Sequence, residues 1–163
     1  MQMSDTGTAD AMAHASDSRE QRQAEPLILE EVGHTLGATL EPQSLRLPDG
    51  ARIDVDGVAA DESVLCEVFS RQGRLKGAQL HKVARDALKL ITAARSRPDA
   101  RLVLAFGDDE AAACVTGTSW LAEAIRTWGL EVIVVPLDEL VRDGLRAAQA
   151  RQVMVNSPDQ PPS

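Results

Sequence analysis

The chain has 163 residues, 44% of them hydrophobic, and a formal net charge of −8 at pH 7. Its length predicts one domain, and no apolar run approaches the roughly 20 residues that a membrane-spanning helix needs. The N-terminus lacks the pattern of a secretory signal, and the two cysteines and three histidines lack zinc-ligand spacing. We therefore expect a cytoplasmic protein without a membrane partner, in which Cys66 and Cys114 are small buried hydrophobic residues.

The first half of the chain predicts a tail, one helix and a three-stranded meander. Residues 1–25 lack apolar periodicity, which predicts a disordered tail. A helix is expected from Pro26 to Gly37, where apolar residues recur at helical spacing, and Pro42 is expected to break the chain. The predicted strands cover residues 44–47, 51–58 and 64–69.

The second half alternates helices with buried strands. The predicted elements are a helix at 77–95, a strand at 101–106, a helical segment at 108–128 interrupted by Gly117, a strand at 130–135 and a helix at 138–151. Asp108 or Asp109, and Thr118 or Ser119, are expected to cap the two parts of the interrupted segment. Trp120 and Trp128 are expected to be core or interface anchors.

The element order α-β-β-β-α-β-α-β-α predicts an α/β fold with a mixed β-sheet flanked by helices. The folded domain is expected to cover residues 26–153, followed by a flexible C-terminal tail at 154–163.

Positive charge is concentrated in one segment of this acidic chain. Between Ser70 and Arg101, nine basic residues stand against Asp86 and Asp99, which gives the segment a charge of +7. This asymmetry indicates either a basic binding face or a solvated helix surface. The chain's three lysines all lie in this segment. The candidate nucleic-acid contacts are Arg71, Arg74, Lys76, Lys82 and Arg85.

Two carboxylates on neighbouring predicted strands form the candidate site. Asp56 lies near the end of the second strand, and Glu67 interrupts the apolar strand VLCEVF. A carboxylate in an apolar strand needs a cation or a hydrogen-bond donor to offset its burial. If the two strands pair, Asp56 and Glu67 converge, and two carboxylates suit Mg²⁺ that keeps waters for a substrate phosphate. Alternatively, Asp56-Gly57 is only a strand end and turn, and Glu67 pairs with Arg52 or another arginine.

The chain resembles the PD-(D/E)xK nuclease superfamily, which has a restriction-endonuclease-like fold. The resemblance lies in the order of the elements: a helix, a meander that carries Asp56 and then Glu67, and a following helix and strand. The resemblance covers about residues 27–135. It implies that Asp56 and Glu67 bind Mg²⁺ or Mn²⁺, and that Gln79 on the following helix orients water or substrate. It also implies that an acidic residue of the first helix, Glu30 or Glu31, contributes to the site.

The sequence departs from the family pattern at its lysine. Phe69 occupies the position two residues after Glu67 where the family lysine stands, and no proline precedes Asp56. Some members carry the lysine on the neighbouring helix, so Lys82 or Lys76 is the candidate replacement, which would stabilise charge on the scissile phosphate.

The resemblance implies a metal-dependent nuclease that hydrolyses phosphodiester bonds, with DNA as the expected substrate. A domain of this size shows no specificity module, so a homodimer or a partner protein would supply target recognition. Phe69 also fits an alternative, a catalytically inactive subunit that binds nucleic acid or a partner protein. A third possibility is an ordinary α/β binding domain, although no glycine-rich phosphate motif supports a nucleotide site.

Overall fold

A computed structural model describes the backbone of residues 7–156 and the side chains of residues 19–154. The strands are β1 (Leu40–Arg46), β2 (Arg52–Ala59), β3 (Val64–Phe69), β4 (Arg101–Phe106) and β5 (Glu131–Val134). The helices are α1 (Gly7–Leu36), α2 (Ala78–Ala94), α3 (Asp109–Thr116), α4 (Trp120–Thr127) and α5 (Glu139–Asn156). The parts of the predicted tails at residues 1–6 and 157–163 lie outside the described residues.

The five strands form one mixed sheet in the order β1-β2-β3-β4-β5. The first three strands pair antiparallel, whereas β3–β4 and β4–β5 pair parallel. One face of the sheet packs against α2, α3 and α4, and the other packs against α1 and α5. The predicted α/β class with a mixed, helix-flanked sheet is therefore confirmed. Within the described range, no helix is both long and apolar enough to cross a membrane.

The first and last helices are longer than predicted. Helix α1 begins at Gly7 and contains Pro26 in its interior, so the predicted start at Pro26 is wrong. Ala24 is fully buried, and Glu20 forms an ion pair with Arg151 of α5 at 3.2 Å. Apolar periodicity is weak in this stretch, so the sequence gives little sign of a helix that packs along α5. Helix α5 likewise extends to Asn156, beyond the predicted tail boundary at 154.

The helices between β4 and β5 agree with the capping predictions. Asp108 caps α3 by accepting a hydrogen bond from Ala111 N–H, and Ser119 caps α4 by accepting one from Ala122 N–H. Of the two roles expected for the tryptophans, core or interface anchor, the core role is excluded, because Trp120 is 77% exposed and Trp128 is 62% exposed.

A polar network fixes the loop that leads from β3 into α2. Gln72 N–H donates to Gln149 Oε1, and Gln149 Nε2 donates to the Gln72 carbonyl, both at 2.8 Å. Arg142 bridges Gln72 Oε1 and Asp108 Oδ1, each at 3.2 Å. Asp108 Oδ2 also accepts a hydrogen bond from Gly73 N–H at 2.8 Å. Helix α5 thereby holds the start of the basic segment in place.

A β-bulge interrupts the pairing of β1 with β2. Glu41 pairs with Val58 and Gln43 pairs with Val55, so Pro42 faces two residues of β2. Proline has no N–H to donate to a ladder, and sheets accommodate it on edge strands or at bulges. The predicted chain break at Pro42 is therefore wrong, because β1 is an edge strand that tolerates it.

Close packing against α1 and β1 favours glycine at position 57. A Cβ atom built on Gly57 would collide with Leu29 Cδ2 and lie 3.3 Å from Leu40 Cβ. We expect Gly57→Ala to lower the free energy of unfolding by about 1–3 kcal/mol, because overpacking forces neighbouring groups to move.

Gly144 in α5 is the matched control, since a Cβ there would meet nothing closer than 4.0 Å. Gly144→Ala should raise the free energy of unfolding by about 0.5–1 kcal/mol, because alanine favours a helix interior. Urea denaturation of the two variants measures both effects. Equal stabilities would contradict the close packing at Gly57.

Candidate active site

The bulge directs the Asp56 side chain toward β3. Strands β2 and β3 pair at Gly57–Cys66 and at Val58–Leu65. Beyond these pairs, Asp56 Oδ2 accepts a hydrogen bond from Val68 N–H at 2.9 Å. A side-chain carboxylate thus takes the place of a backbone carbonyl of β2 as the acceptor for β3. Bulges commonly change the direction of a side chain in this way. Asp56 is neither a simple strand end nor a turn residue.

Glu67 is a buried carboxylate beside Asp56. Its residue exposure is 2%, and its neighbours on the same face of β3 are the apolar residues Leu65 and Phe69. Burial, followed by a hydrogen bond with Asp56, raises the pKa of Glu67 to about 8, although Lys89 acts to lower it. The structure therefore brings together the two carboxylates that the sequence analysis selected.

Lys89 of α2 provides the positive charge nearest to this pair. Its Nζ lies 2.6 Å from Glu67 Oε1, and its side chain is 23% exposed. Lys89 thus forms an ion pair with the buried Oε1 atom. Glu67 therefore pairs with a lysine of the neighbouring helix, and the alternative pairing with Arg52, an exposed residue, is wrong.

The raised pKa of Glu67 predicts a pH dependence of stability in metal-free protein. Between pH 4.5 and about 8 the folded chain holds a proton on Glu67 that the unfolded chain releases. The wild-type free energy of unfolding should therefore fall, relative to that of Glu67→Gln, by on the order of 2 kcal/mol as the pH rises through this range.

Chemical denaturation at pH 5 and pH 8.5 measures the difference between the two proteins. Glu67→Gln is the matched variant because it keeps the size of the side chain and removes the titration. A difference between wild type and variant that stays constant with pH would contradict the raised pKa.

Asp86 of α2 contacts both Lys82 and Lys89. This carboxylate is buried, and its Oδ2 lies 3.1 Å from Lys82 Nζ, while its Oδ1 lies 3.7 Å from Lys89 Nζ. Lys82 Nζ also lies 4.8 Å from the centre of the Phe69 ring, in the geometry of a cation–π contact. Phe69 stacks on Phe106 with ring centres 4.8 Å apart. Lys82 therefore lies over Phe69, two residues after Glu67, and half of its side chain is exposed.

The other predicted site residues lie in the loop between β3 and α2 or on α2 itself. Lys76 is exposed in the loop before α2, and its backbone N–H donates to Gln79 Oε1 at 3.1 Å. The Gln79 side-chain oxygen is thus engaged at the start of the helix. Arg74 and Arg85 are exposed, whereas Arg71 is half-buried and burial lowers its pKa. The predicted basic surface therefore consists mainly of exposed side chains.

The acidic residue that α1 contributes differs from the prediction. Glu30 and Glu31 are both exposed to solvent. Glu25, which the sequence analysis assigned to the tail, is half-buried. Burial and the charge of Asp56 raise its pKa, while Lys82 and Arg22 lower it. Glu25 therefore lies within electrostatic reach of Asp56 and Lys82.

The sequence does not predict three of the residues at the site, which are Lys89, Asp86 and Glu25. Lys89 and Asp86 lie three residues apart on one helix, and their spacing from Lys82 places all three on neighbouring turns. The concentration of all lysines after Glu67 was the available signal, although it did not distinguish Lys89 from Lys82. No comparable signal marks Glu25, because its stretch of α1 lacks a helical pattern.

Asp56 and Glu67 supply two adjacent carboxylates. Among the described residues, no group of three or more histidine, cysteine, aspartate or glutamate side chains is arranged to hold a metal ion. Mg²⁺ is commonly held by only one or two carboxylates, with waters and substrate phosphate completing its shell. The buried Glu67 carboxylate next to the Asp56 carboxylate is compatible with this mode of binding.

Comparison with known proteins provides no further assignment. No family model matches the chain, and no curated protein or solved structure matches it.

Proposed function

We propose that the chain is a metal-dependent nuclease of the PD-(D/E)xK type, acting on phosphodiester bonds in DNA. The observation that carries the proposal is the convergence of Asp56 and Glu67 beside two lysines of α2. The mixed sheet, with its antiparallel meander followed by parallel strands, is compatible with a restriction-endonuclease-like fold.

In the proposed site, Asp56 and Glu67 hold Mg²⁺ or Mn²⁺. The bound metal would polarise the scissile phosphate and lower the pKa of a water molecule. Lys89 balances the charge of the carboxylate pair, and Asp86 restrains both lysines. Lys82, the more exposed lysine, is the candidate that stabilises charge on the scissile phosphate. A homodimer or a partner protein would supply target specificity.

The test is cleavage of plasmid DNA, single-stranded DNA and RNA by the full chain with Mg²⁺ or Mn²⁺. We expect cleavage that EDTA abolishes and that Glu67→Gln lacks. Cleavage that persists in EDTA, or in Glu67→Gln, would reject the proposal.

A second candidate function is a catalytically inactive subunit of the same fold that binds nucleic acid or a partner protein. It is favoured by the ion pair at 2.6 Å that already engages the nearly inaccessible Glu67. This candidate predicts salt-dependent binding of nucleic acid without cleavage in either metal, and the binding should be unchanged in Glu67→Gln.

A further inference from the structure

A groove of about 800 Å³ lies on the flank of α2 that faces away from the carboxylate pair. Its apolar lining includes Leu80 of α2 and Leu121 of α4, and Arg74 and His81 also line it. Trp120 borders the groove with most of its indole in solvent. An indole of this size is usually buried in a monomer, so its exposure beside a groove indicates a binding surface.

The charge around the groove favours an anionic ligand. None of the residues that line it is acidic, although the whole chain carries a charge of −8. Arg74 supplies a permanent positive charge, and His81 supplies a second donor. A flat aromatic side chain beside a cation suits a nucleotide, because the base stacks on the ring while the cation contacts phosphate.

The groove and the carboxylate site are separated by a single helix. His81 faces the groove, whereas the adjacent residue Lys82 contacts Asp86 and lies over Phe69. A helix with its side chains is about 10–12 Å across. A few nucleotides of an extended strand therefore reach from Lys82, over the first turns of α2, to Trp120.

We propose that this groove is a stacking subsite for an unpaired base of a nucleic acid strand, with the strand continuing to the carboxylate site. The continuation of the strand rests on the proposed function, whereas base stacking on Trp120 does not. Bases in a duplex already stack on one another, and unstacking them requires free energy. The subsite therefore selects single-stranded or frayed nucleic acid over an intact duplex.

The two tryptophans of the chain provide a matched pair of variants. Both side chains are exposed, but Trp128 is not part of the groove lining. Each single replacement by alanine leaves one tryptophan as a fluorescent reporter. The probe is a labelled oligothymidylate of about 12 nucleotides, titrated into full-length protein in EDTA so that cleavage cannot occur.

We expect the oligothymidylate to quench Trp120 emission in Trp128→Ala, and to leave Trp128 emission unchanged in Trp120→Ala. By anisotropy of the label, Trp120→Ala should bind about 5- to 100-fold more weakly than wild type. Trp128→Ala should bind as wild type does, and an unlabelled duplex should compete poorly.

Three results would overturn the inference. They are wild-type affinity in Trp120→Ala, equal competition by the base-free polyanion heparin, and a dimer in sedimentation that Trp120→Ala dissociates. The last result would assign the groove to a second copy of the chain.

The proposal of a stacking subsite and the proposal of nuclease activity can be rejected independently. Trp120-dependent binding without any metal-dependent cleavage would reject the nuclease and retain the subsite. Cleavage by a Trp120→Ala variant that binds single strands as wild type does would reject the subsite and retain the nuclease.

Discussion

Glu67→Gln is expected to lower metal-dependent cleavage by at least about 10³-fold, because it removes one of the two charged ligands proposed for the metal. Glutamine keeps the shape of the side chain, and it cannot supply the negative charge that a divalent cation requires. The variant should remain folded, since removing a buried carboxylate whose pKa is already raised relieves a desolvation penalty. Single-turnover kinetics measures the loss of cleavage, and Mn²⁺ titration measures the loss of metal affinity.

The matched control for this variant is Glu41→Gln. Glu41 is an exposed carboxylate on the edge strand β1, so its replacement changes the net charge equally. We expect this control to cleave and to bind Mn²⁺ as wild type does. If Glu67→Gln kept wild-type affinity for Mn²⁺, the metal would have to be held elsewhere.

The three lysines are expected to give three different results when each is replaced by methionine. Lys82→Met should lower cleavage about 10²-fold, because it removes the exposed cation proposed to face the phosphate. Its stability should change by less than about 1 kcal/mol, as is typical of half-exposed ion pairs. Lys89→Met should lower the free energy of unfolding by about 3 kcal/mol above pH 8, because it removes the cation that stabilises the ionised form of the buried Glu67.

Lys76→Met completes the series as the control. Lys76 is exposed in the loop before α2, so neither cleavage nor stability should change. Cleavage rates and urea denaturation of the three purified variants distinguish the roles. If Lys89→Met lost cleavage at unchanged stability, the catalytic cation would be Lys89, and Lys82 would have only a structural role.

The strands and the capped helices were predictable because their signals are local. Runs such as VLCEVF and RLVLAF are short, apolar and bounded by polar loops, which is the pattern of buried strands. Asp108 and Ser119 precede helices as capping residues, and both cap as expected. The pairing of β2 with β3 followed from the short loop between them.

Other features depended on contacts that the sequence does not display. Residues 19–25 of α1 pack beside α5, a partner more than a hundred residues away. The sequence predicts a break at Pro42, because a strand accepts this proline only when it lies at the sheet edge, as β1 does. The tryptophans were expected inside the protein or at an interface, since hydrophobicity does not reveal which face of α4 meets the core.

The sequence by itself determined that this chain is an α/β protein with two carboxylates on neighbouring strands and a basic segment after them. Only the tertiary structure decided how the carboxylates meet and which lysine neutralises them. The bulge opposite Pro42 turns Asp56 toward Val68 N–H, and strand periodicity alone does not predict it. Lys89 contacts Glu67 because α2 packs on β3 in one register, and side-chain packing between elements sets that register.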